Sequence, residues 1–219
     1  EEFGFVPLET PTLEFAETLT GKYGEVEKLI YEFSDRGGRK LALRFDLTVP
    51  LARFIANNQN LLRPSFSRYQ IGQAFRGENP QRGRFREFTQ LDFDTVGSSD
   101  PKDDAKVIAC ALAAADRLGF RDYKMVINDR RFLESIGITP PLAVIIDKKD
   151  KIGTERIGQE LSRKVGKEKA SQILAKLKAA AEPPSIKEIK KLVGEMGQDA
   201  KRMVFDPWLA RGLNYYTGP

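Results

Sequence analysis

The chain is predicted to be an α+β protein: a mixed, largely antiparallel sheet flanked by helices, with a small helical insertion. Strand-like runs collect early in the chain and return once near its end, on either side of a Lys/Glu/Ala/Leu-rich helical stretch. Two of the early runs flank a Gly/Pro/Asn turn and alternate in residue character, as the arms of an antiparallel hairpin do. At 219 residues, 41% apolar and 10% aromatic, the chain can bury one sizeable core with an appended subdomain.

In order, Phe3 to Glu14 alternates after a turn-like Gly and reads as a strand that ends near Thr10-Pro11, since proline cannot continue a central ladder. Ile30 to Phe33 is a second short strand, and Lys40 to Arg44 a third. Thr48 to Asn57 has apolar residues at helical spacing, with Thr48 near the N-cap and Pro50 in the first turn. Phe66 to Ala74 and Arg84 to Val96 are the hairpin arms. Asp100-Pro101 opens a long helix to about Leu118, with Gly119 at the stop position. Tyr123 to Asn128 is another strand, and Leu142 to Ile146 fits either a strand or the start of a helix. Helices are expected over Thr154 to Val165, Lys167 to Ala181 and Ser185 to Glu195, broken by Gly166 and Pro183-Pro184. Met203 to Phe205 returns as a strand. The domain reading is therefore a core over 1–146, a helical insertion over 147–200, and a return to the core over 201–219.

Composition excludes several chemistries. The chain has no histidine, so a Ser-His-Asp triad, a Cys-His pair and the common His-based zinc and iron sites are ruled out within these residues. Its one cysteine, Cys110, sits in the apolar run VIACALAAA and reads as a buried small hydrophobe. With no disulfide framework, no signal-peptide pattern and no run long enough to span a membrane, a cytoplasmic location is expected. Charge is unevenly placed: Asp147 to Arg202 holds 15 Lys/Arg against 9 Asp/Glu, so this segment carries all of the chain's net +5. A solvated helical surface and attraction to a phosphate backbone both fit that pattern.

The hairpin holds the chemistry. Arg76 and Glu78, two apart at a strand end, point the same way, so one can grip a phosphate while the other accepts from an amine. On the second arm Arg84, Arg86, Phe88, Gln90, Asp92 and Asp94 are spaced by two and are expected to share one face. An aromatic ring amid five polar side chains favours a binding site, where the ring stacks on a base and arginine meets phosphate.

These residues resemble the second signature of class II aminoacyl-tRNA synthetases: Phe75-Arg76-Gly77-Glu78, a loop, Arg84-Phe85-Arg86-Glu87-Phe88, then Asp92. Pro11, within GFVPLETPTLE, matches the end of the first signature, at the dimer interface. Two further blocks narrow the resemblance to histidyl-tRNA synthetases. Leu43-Arg44-Phe45-Asp46-Leu47-Thr48 resembles the amino-acid loop, with Asp46 where bacterial members more often carry Glu. Arg211-Gly212-Leu213-Asn214-Tyr215-Tyr216-Thr217-Gly218 resembles the histidine-specific motif, with Asn214 in place of the usual Asp.

The resemblance implies a class II synthetase-like fold and a histidine–tRNA ligase that forms histidyl-adenylate and transfers it to tRNA(His). Arg76 and Arg211 would be catalytic on the α-phosphate. ATP would be held by Arg76, Glu78, Arg84 and Phe88. L-Histidine would be held by Asp46, Thr48, Gln90, Asp94, Tyr215 and Tyr216. No resident metal is implied; Mg2+ would arrive with ATP, and the enzyme would be a homodimer without a membrane partner. The third class II signature and an anticodon-binding domain do not follow Pro219, so a catalytic-core fragment with weak or no ATP activation of its own is expected. Segments 137–145 and 194–201 also look shorter than is usual in the family.

Three other readings share the fold: the regulatory subunit of ATP phosphoribosyltransferase, the sensing domain of a tRNA-binding kinase, and another class II synthetase. The intact Arg211 to Gly218 block weighs against each. A site without histidine suffices for adenylation, because the reaction builds negative charge on phosphorus and requires preorganised guanidiniums rather than proton transfer.

Overall fold

The computed structural model describes residues 2–21, 24–211 and 218–219. The chain divides into two compact units, Glu1–Ser99 and Asp100–Pro219.

The first unit contains β1 (Val6–Pro7), β2 (Leu13–Phe15), α1 (Ala16–Leu19), a 3-10 turn (Gly24–Leu29), β3 (Glu32–Ser34), β4 (Lys40–Leu43), α2 (Thr48–Asn58), β5 (Phe66–Phe75) and β6 (Glu87–Val96). It forms two three-stranded sheets, in the orders β1-β5-β6 and β2-β4-β3. All pairings are antiparallel except β1 with β5, which is parallel. The mixed, largely antiparallel expectation holds in this unit.

Local chemistry explains where boundaries moved. The strand expected over Phe3 to Glu14 is two short ones. Pro7 has no N–H for the ladder, and after Leu8 N bonds Tyr69 O at 3.1 Å the chain leaves for the second sheet. The strand expected from Ile30 begins at Glu32, because the 3-10 turn closes with Ile30 N on Glu27 O at 2.9 Å. Helix α2 starts at Thr48, but Asp46 is its cap: Asp46 Oδ1 accepts from Thr48 N at 3.1 Å and Val49 N at 3.0 Å. Ala16, Leu19, Ile30, Ala42 and Phe45 form a buried cluster under these elements.

The second unit contains α3 (Pro101–Arg117), β7 (Met125–Ile127), α4 (Arg130–Ser135), α5 (Pro140–Ile146), α6 (Lys149–Val165), α7 (Lys167–Lys178), α8 (Pro184–Glu195), a 3-10 turn (Ala200–Arg202) and β8 (Met203–Phe205). Asp100 caps α3 by accepting from Lys102 N, Pro101 opens it, and Gly119 at φ +88° follows its end. The segment Leu142 to Ile146 is helical, initiated by Pro140-Pro141, whose fixed φ suits a first turn. Helix α6 begins five residues before the expected Thr154, across a kink at Gly153, whose φ is +77°. Strands β7 and β8 pair in parallel, Met125 opposite Met203.

Two cores fill this unit. Leu142, Ile146, Ile157, Leu161, Ile173 and Leu177 join α5, α6 and α7. Ile186, Ile189 and Val193 form one helical stripe of α8 that shares a buried cluster with Ala105 and Leu112 of α3, Ile127 of β7 and Met203 of β8. Burying each Leu or Ile fully contributes about 1.5–3 kcal/mol. Cys110 is half-buried rather than a core residue. Among the described residues, no helix is long and apolar enough to cross a membrane.

Candidate active site

Within the first unit, the hairpin β5/β6 carries the candidate site. Its register sets Arg68 opposite Asp94, Gln70 opposite Asp92, Gly72 opposite Gln90 and Ala74 opposite Phe88. Directly paired residues point to the same side, so these eight share one face. That face is the covered one, with Arg68, Gln70 and Ala74 buried, while Tyr69, Ile71 and Leu91 on the reverse are exposed.

Of the expected row of six on the second arm, Phe88, Gln90, Asp92 and Asp94 lie within β6, which starts at Glu87. Arg86 extends the row by one pair, opposite Arg76, and Arg84 lies in the turn beyond. Arg84 instead closes a tight turn with Gln81, bonded both ways at 2.9 and 3.3 Å, around Gly83 at φ +77°. From that turn Arg84 Nη1 reaches Glu78 Oε2 at 3.3 Å, and Arg86 Nε donates to Glu78 O at 3.1 Å. Two of the expected ATP-binding groups therefore grip each other across the turn. The Arg84–Glu78 pair is more than half exposed at its Arg end, and pairs of that kind contribute about 0–1 kcal/mol, so a ligand can open it.

Arg76 continues the ladder one residue past β5, its N–H bonded to Arg86 O at 2.9 Å. Its guanidinium lies 4.5 Å from the Phe45 ring centre and 5.0 Å from that of Phe88, and Nε donates to Phe45 O at 3.2 Å. Cation–π attraction to two rings pre-aims a side chain that would otherwise sample many rotamers. Gly77 beside it lets the chain run close to Leu29. Its N–H bonds Leu29 O at 2.7 Å, and an added Cβ would stand 3.2 Å from that same oxygen.

The amino-acid loop comes close to this face from β4. Arg44 is buried, with Nε donating to Gln73 O at 2.6 Å and Nη1 to Thr10 O at 2.7 Å. It crosses the sheet where residue 72 has no side chain: a Cβ there would lie 2.5 Å from Arg44 Nη2. Asp46 and Thr48 stand at the N-terminus of α2, with Asp46 holding its backbone.

Farther along the face, Gln90 Nε2 donates to Asp92 Oδ1 at 2.9 Å, and Gln90 Oε1 is buried with no hydrogen-bond partner among the described residues. Burial pushes the Asp94 carboxyl above the usual carboxylate range, Arg68 pulls it down, and Asp92 and Asp46 push it up again. An acceptor left open beside a half-buried carboxylate suits a ligand that brings N–H donors.

The remaining expected residues fall outside the described part of this unit. Arg211 belongs to the second unit, where it is exposed and its carbonyl accepts from Arg130 Nη1 at 3.2 Å. Tyr215 and Tyr216 lie outside the described residues, as does Asn214. Sequence reasoning missed Arg68 and Arg130. A basic residue at a face-inward position of an otherwise alternating strand was the available signal for Arg68. Among the described residues, no group of three or more His, Cys, Asp or Glu is placed to hold a metal ion.

A family model described as histidyl-tRNA synthetase matches residues 1–219. A histidine–tRNA ligase of Aeropyrum pernix is 41% identical over 246 positions, covering 100% of this chain and 56% of its own length. One from Treponema denticola is 39% identical over 248 positions, covering 99% and 55%. The chain thus spans about half the length of the curated relatives it matches. Both alignments run longer than 219 residues, so these relatives carry internal residues that this chain lacks. The crystal structure of histidyl-tRNA synthetase from Nostoc sp. PCC 7120 superposes with a TM-score of 0.80 at 31% identity, covering 99% of this chain and 56% of that one. A structure described as an ATP phosphoribosyltransferase regulatory subunit/histidyl-tRNA synthetase from Bacillus halodurans reaches 0.79 at 21% identity, a likeness of fold.

Proposed function

We infer, since the chain belongs to the histidyl-tRNA synthetase family, that it is the catalytic portion of a histidine–tRNA ligase. The observation that carries this reading is the single sheet face on which Phe88, Gln90 and Asp94 line up, with Arg76 held at its end between two aromatic rings.

On this reading ATP lies along the hairpin turn. Its adenine stacks near Phe88 and is read by Glu78, freed from Arg84, which turns to the phosphates. Histidine lies farther along the face. Its ammonium is held by Asp46, Thr48 and Gln90, and its ring N–H by Asp94, with Tyr215 and Tyr216 assigned to the rest of the ring. A histidine carboxylate oxygen attacks the α-phosphorus. The new O–P bond forms as the bond to the bridging oxygen breaks, and pyrophosphate leaves with that electron pair and its Mg2+. Arg76 and Arg211 balance the charge that builds on the phosphoryl oxygens. In the second step a terminal ribose hydroxyl of tRNA(His) attacks the adenylate carbonyl and AMP leaves. A homodimer in the cytoplasm is part of the same proposal.

Selectivity follows from the same groups. A buried acceptor that loses its N–H partner is penalised heavily, so Asp94 discriminates against amino acids lacking a ring donor. The test is histidine-dependent ATP–pyrophosphate exchange by this chain and by a version extended at its C-terminus to the length of its relatives, with Arg211→Ala in the extended version as control. Exchange lost with Arg211 supports the ligase. Histidine binding without exchange would favour a regulatory role instead.

A further inference from the structure

We propose that Arg68 is a positioning residue for histidine recognition, holding the Asp94 carboxylate in place and ionised while leaving its open side to the substrate. The inference rests on the ligase reading and deepens it. Arg68 is 0% exposed and sits directly across the hairpin from Asp94. Its Nη2 donates to Leu47 O at 3.1 Å and stands 2.9 Å from Asp94 Oδ2, while Nε and Nη1 have no hydrogen-bond partner among the described residues.

Two features separate this pair from a structural ion pair. First, a fully buried arginine with two unpartnered nitrogens is a poor device for stability, since desolvation outweighs what one ion pair and one hydrogen bond return. A leucine at that position would pack more cheaply. Secondly, the contact is short but not aligned as a hydrogen bond: Nη2 donates to Leu47 O, and Asp94 Oδ2 accepts no hydrogen bond among the described residues. Arg68 therefore supplies charge without consuming the carboxylate as an acceptor. Oδ2 is buried although the Asp94 side chain as a whole is 32% exposed, so the exposed part faces away from Arg68.

The charged groups around Asp94 are Arg68 from β5, Asp92 from β6 and Asp46 from the loop before α2. Against two like charges, Arg68 is the one neighbour among the described residues that favours the ionised form. Through Leu47 O it also fixes the chain between Asp46 and Thr48, so the two halves of the proposed amino-acid site share one anchor.

The experiment measures dissociation constants of L-histidine and of ATP for the unmodified protein, Arg68→Met and Arg68→Lys, between about pH 5.5 and 8.5. Histidine's own titration is common to all three proteins, so only differences from the unmodified protein are read. Arg68→Met is expected to weaken histidine about tenfold or more at neutral pH, to leave ATP within about twofold, and to move the acid limb of histidine binding to higher pH. Arg68→Lys keeps the charge and is expected to restore the acid limb with only part of the affinity lost. Equal losses of histidine and ATP, or an unshifted acid limb in Arg68→Met, would overturn the proposal. Should Arg68→Met fail to fold by circular dichroism, Arg68→Lys decides: unchanged histidine affinity, or equal loss of both ligands, overturns it. Absence of histidine binding by the unmodified protein would instead remove the ligase reading, and this inference with it.

Discussion

Replacing Gly72 by Ala tests the close approach of Arg44 to the sheet. The new Cβ would stand 2.5 Å from Arg44 Nη2 and 3.4 Å from its Cζ, whereas unstrained contacts to carbon begin near ~3.5 Å. A flexible arginine tip normally swings away from such an intrusion. Here it is pinned, because Nε is bonded to Gln73 O at 2.6 Å and Nη1 to Thr10 O at 2.7 Å. If Arg44 stays, the overpacking costs about 1–3 kcal/mol. If it leaves, each charged hydrogen bond given up costs about 1.5–3 kcal/mol. Either route lowers stability by at least about 1 kcal/mol, a fall in Tm of roughly 2–4 °C per kcal/mol for a chain of this size. Thermal unfolding followed by circular dichroism measures it, with Gly194→Ala in α8 as control. A Cβ at Gly194 meets nothing within 4 Å, so that substitution is expected to be neutral or stabilising by up to about 1 kcal/mol. A Gly72→Ala protein that melts with the Gly194→Ala control would refute the reasoning about the pinned arginine.

Phe88→Ala removes the ring proposed to stack on adenine and is expected to raise the KM for ATP by the equivalent of about 1–3 kcal/mol, with histidine affinity retained; an unchanged ATP KM in the exchange assay would exclude the role. Arg130 binds the Arg211 carbonyl through Nη1 and the Gly218 carbonyl through its backbone N–H. Arg130→Met is therefore expected to lower kcat of exchange about tenfold or more by loosening Arg211, with both KM values nearly unchanged. Asp129 is pushed up by burial, but hydrogen bonds from Arg131 and Ser185 outweigh this and hold its carboxyl below the usual range. A depressed folded pKa contributes stability above the unfolded value of about 3.9 and loses it as pH falls through the folded one. The stability deficit of Asp129→Ala in urea unfolding should thus be constant at neutral pH and shrink below about pH 4; a deficit that grows on acidification would reverse the sign. Lys148 and Lys149 already pair with Glu160 and Asp206, so Lys151→Glu is the cleaner probe of tRNA contact. It is expected to weaken tRNA binding and flatten its salt dependence by about one phosphate contact.

The hairpin was legible because alternation survives in a strand with one covered face: Phe88, Gln90, Asp92 and Asp94 could be placed on one side from spacing alone. Arg84 shares that parity, yet it belongs to the turn. Parity counts residues and cannot register where Gly83 bends the chain. Asp46 was assigned to a ligand, and it also caps α2, a second use visible only when the helix start is fixed in space. The two-residue strand β1 was overextended because its pairing partner, β5, lies some sixty positions away and sets its length. Arg68 carries no local pattern. Its meaning comes from standing opposite Asp94, a juxtaposition created by the register across the turn.

That register limits how this part of the chain can vary over evolutionary time. Residues between Arg76 and Arg86 can be added or removed with the pairing of Ala74 to Phe88 intact, since the turn only has to reconnect two fixed ends. A single residue inserted within β6 would turn Thr89, Leu91, Phe93 and Thr95 toward the site and Gln90, Asp92 and Asp94 away from it. Length variation among relatives should therefore concentrate in the turn. Within the strand it should occur as two residues at once, or as a bulge that restores the phase.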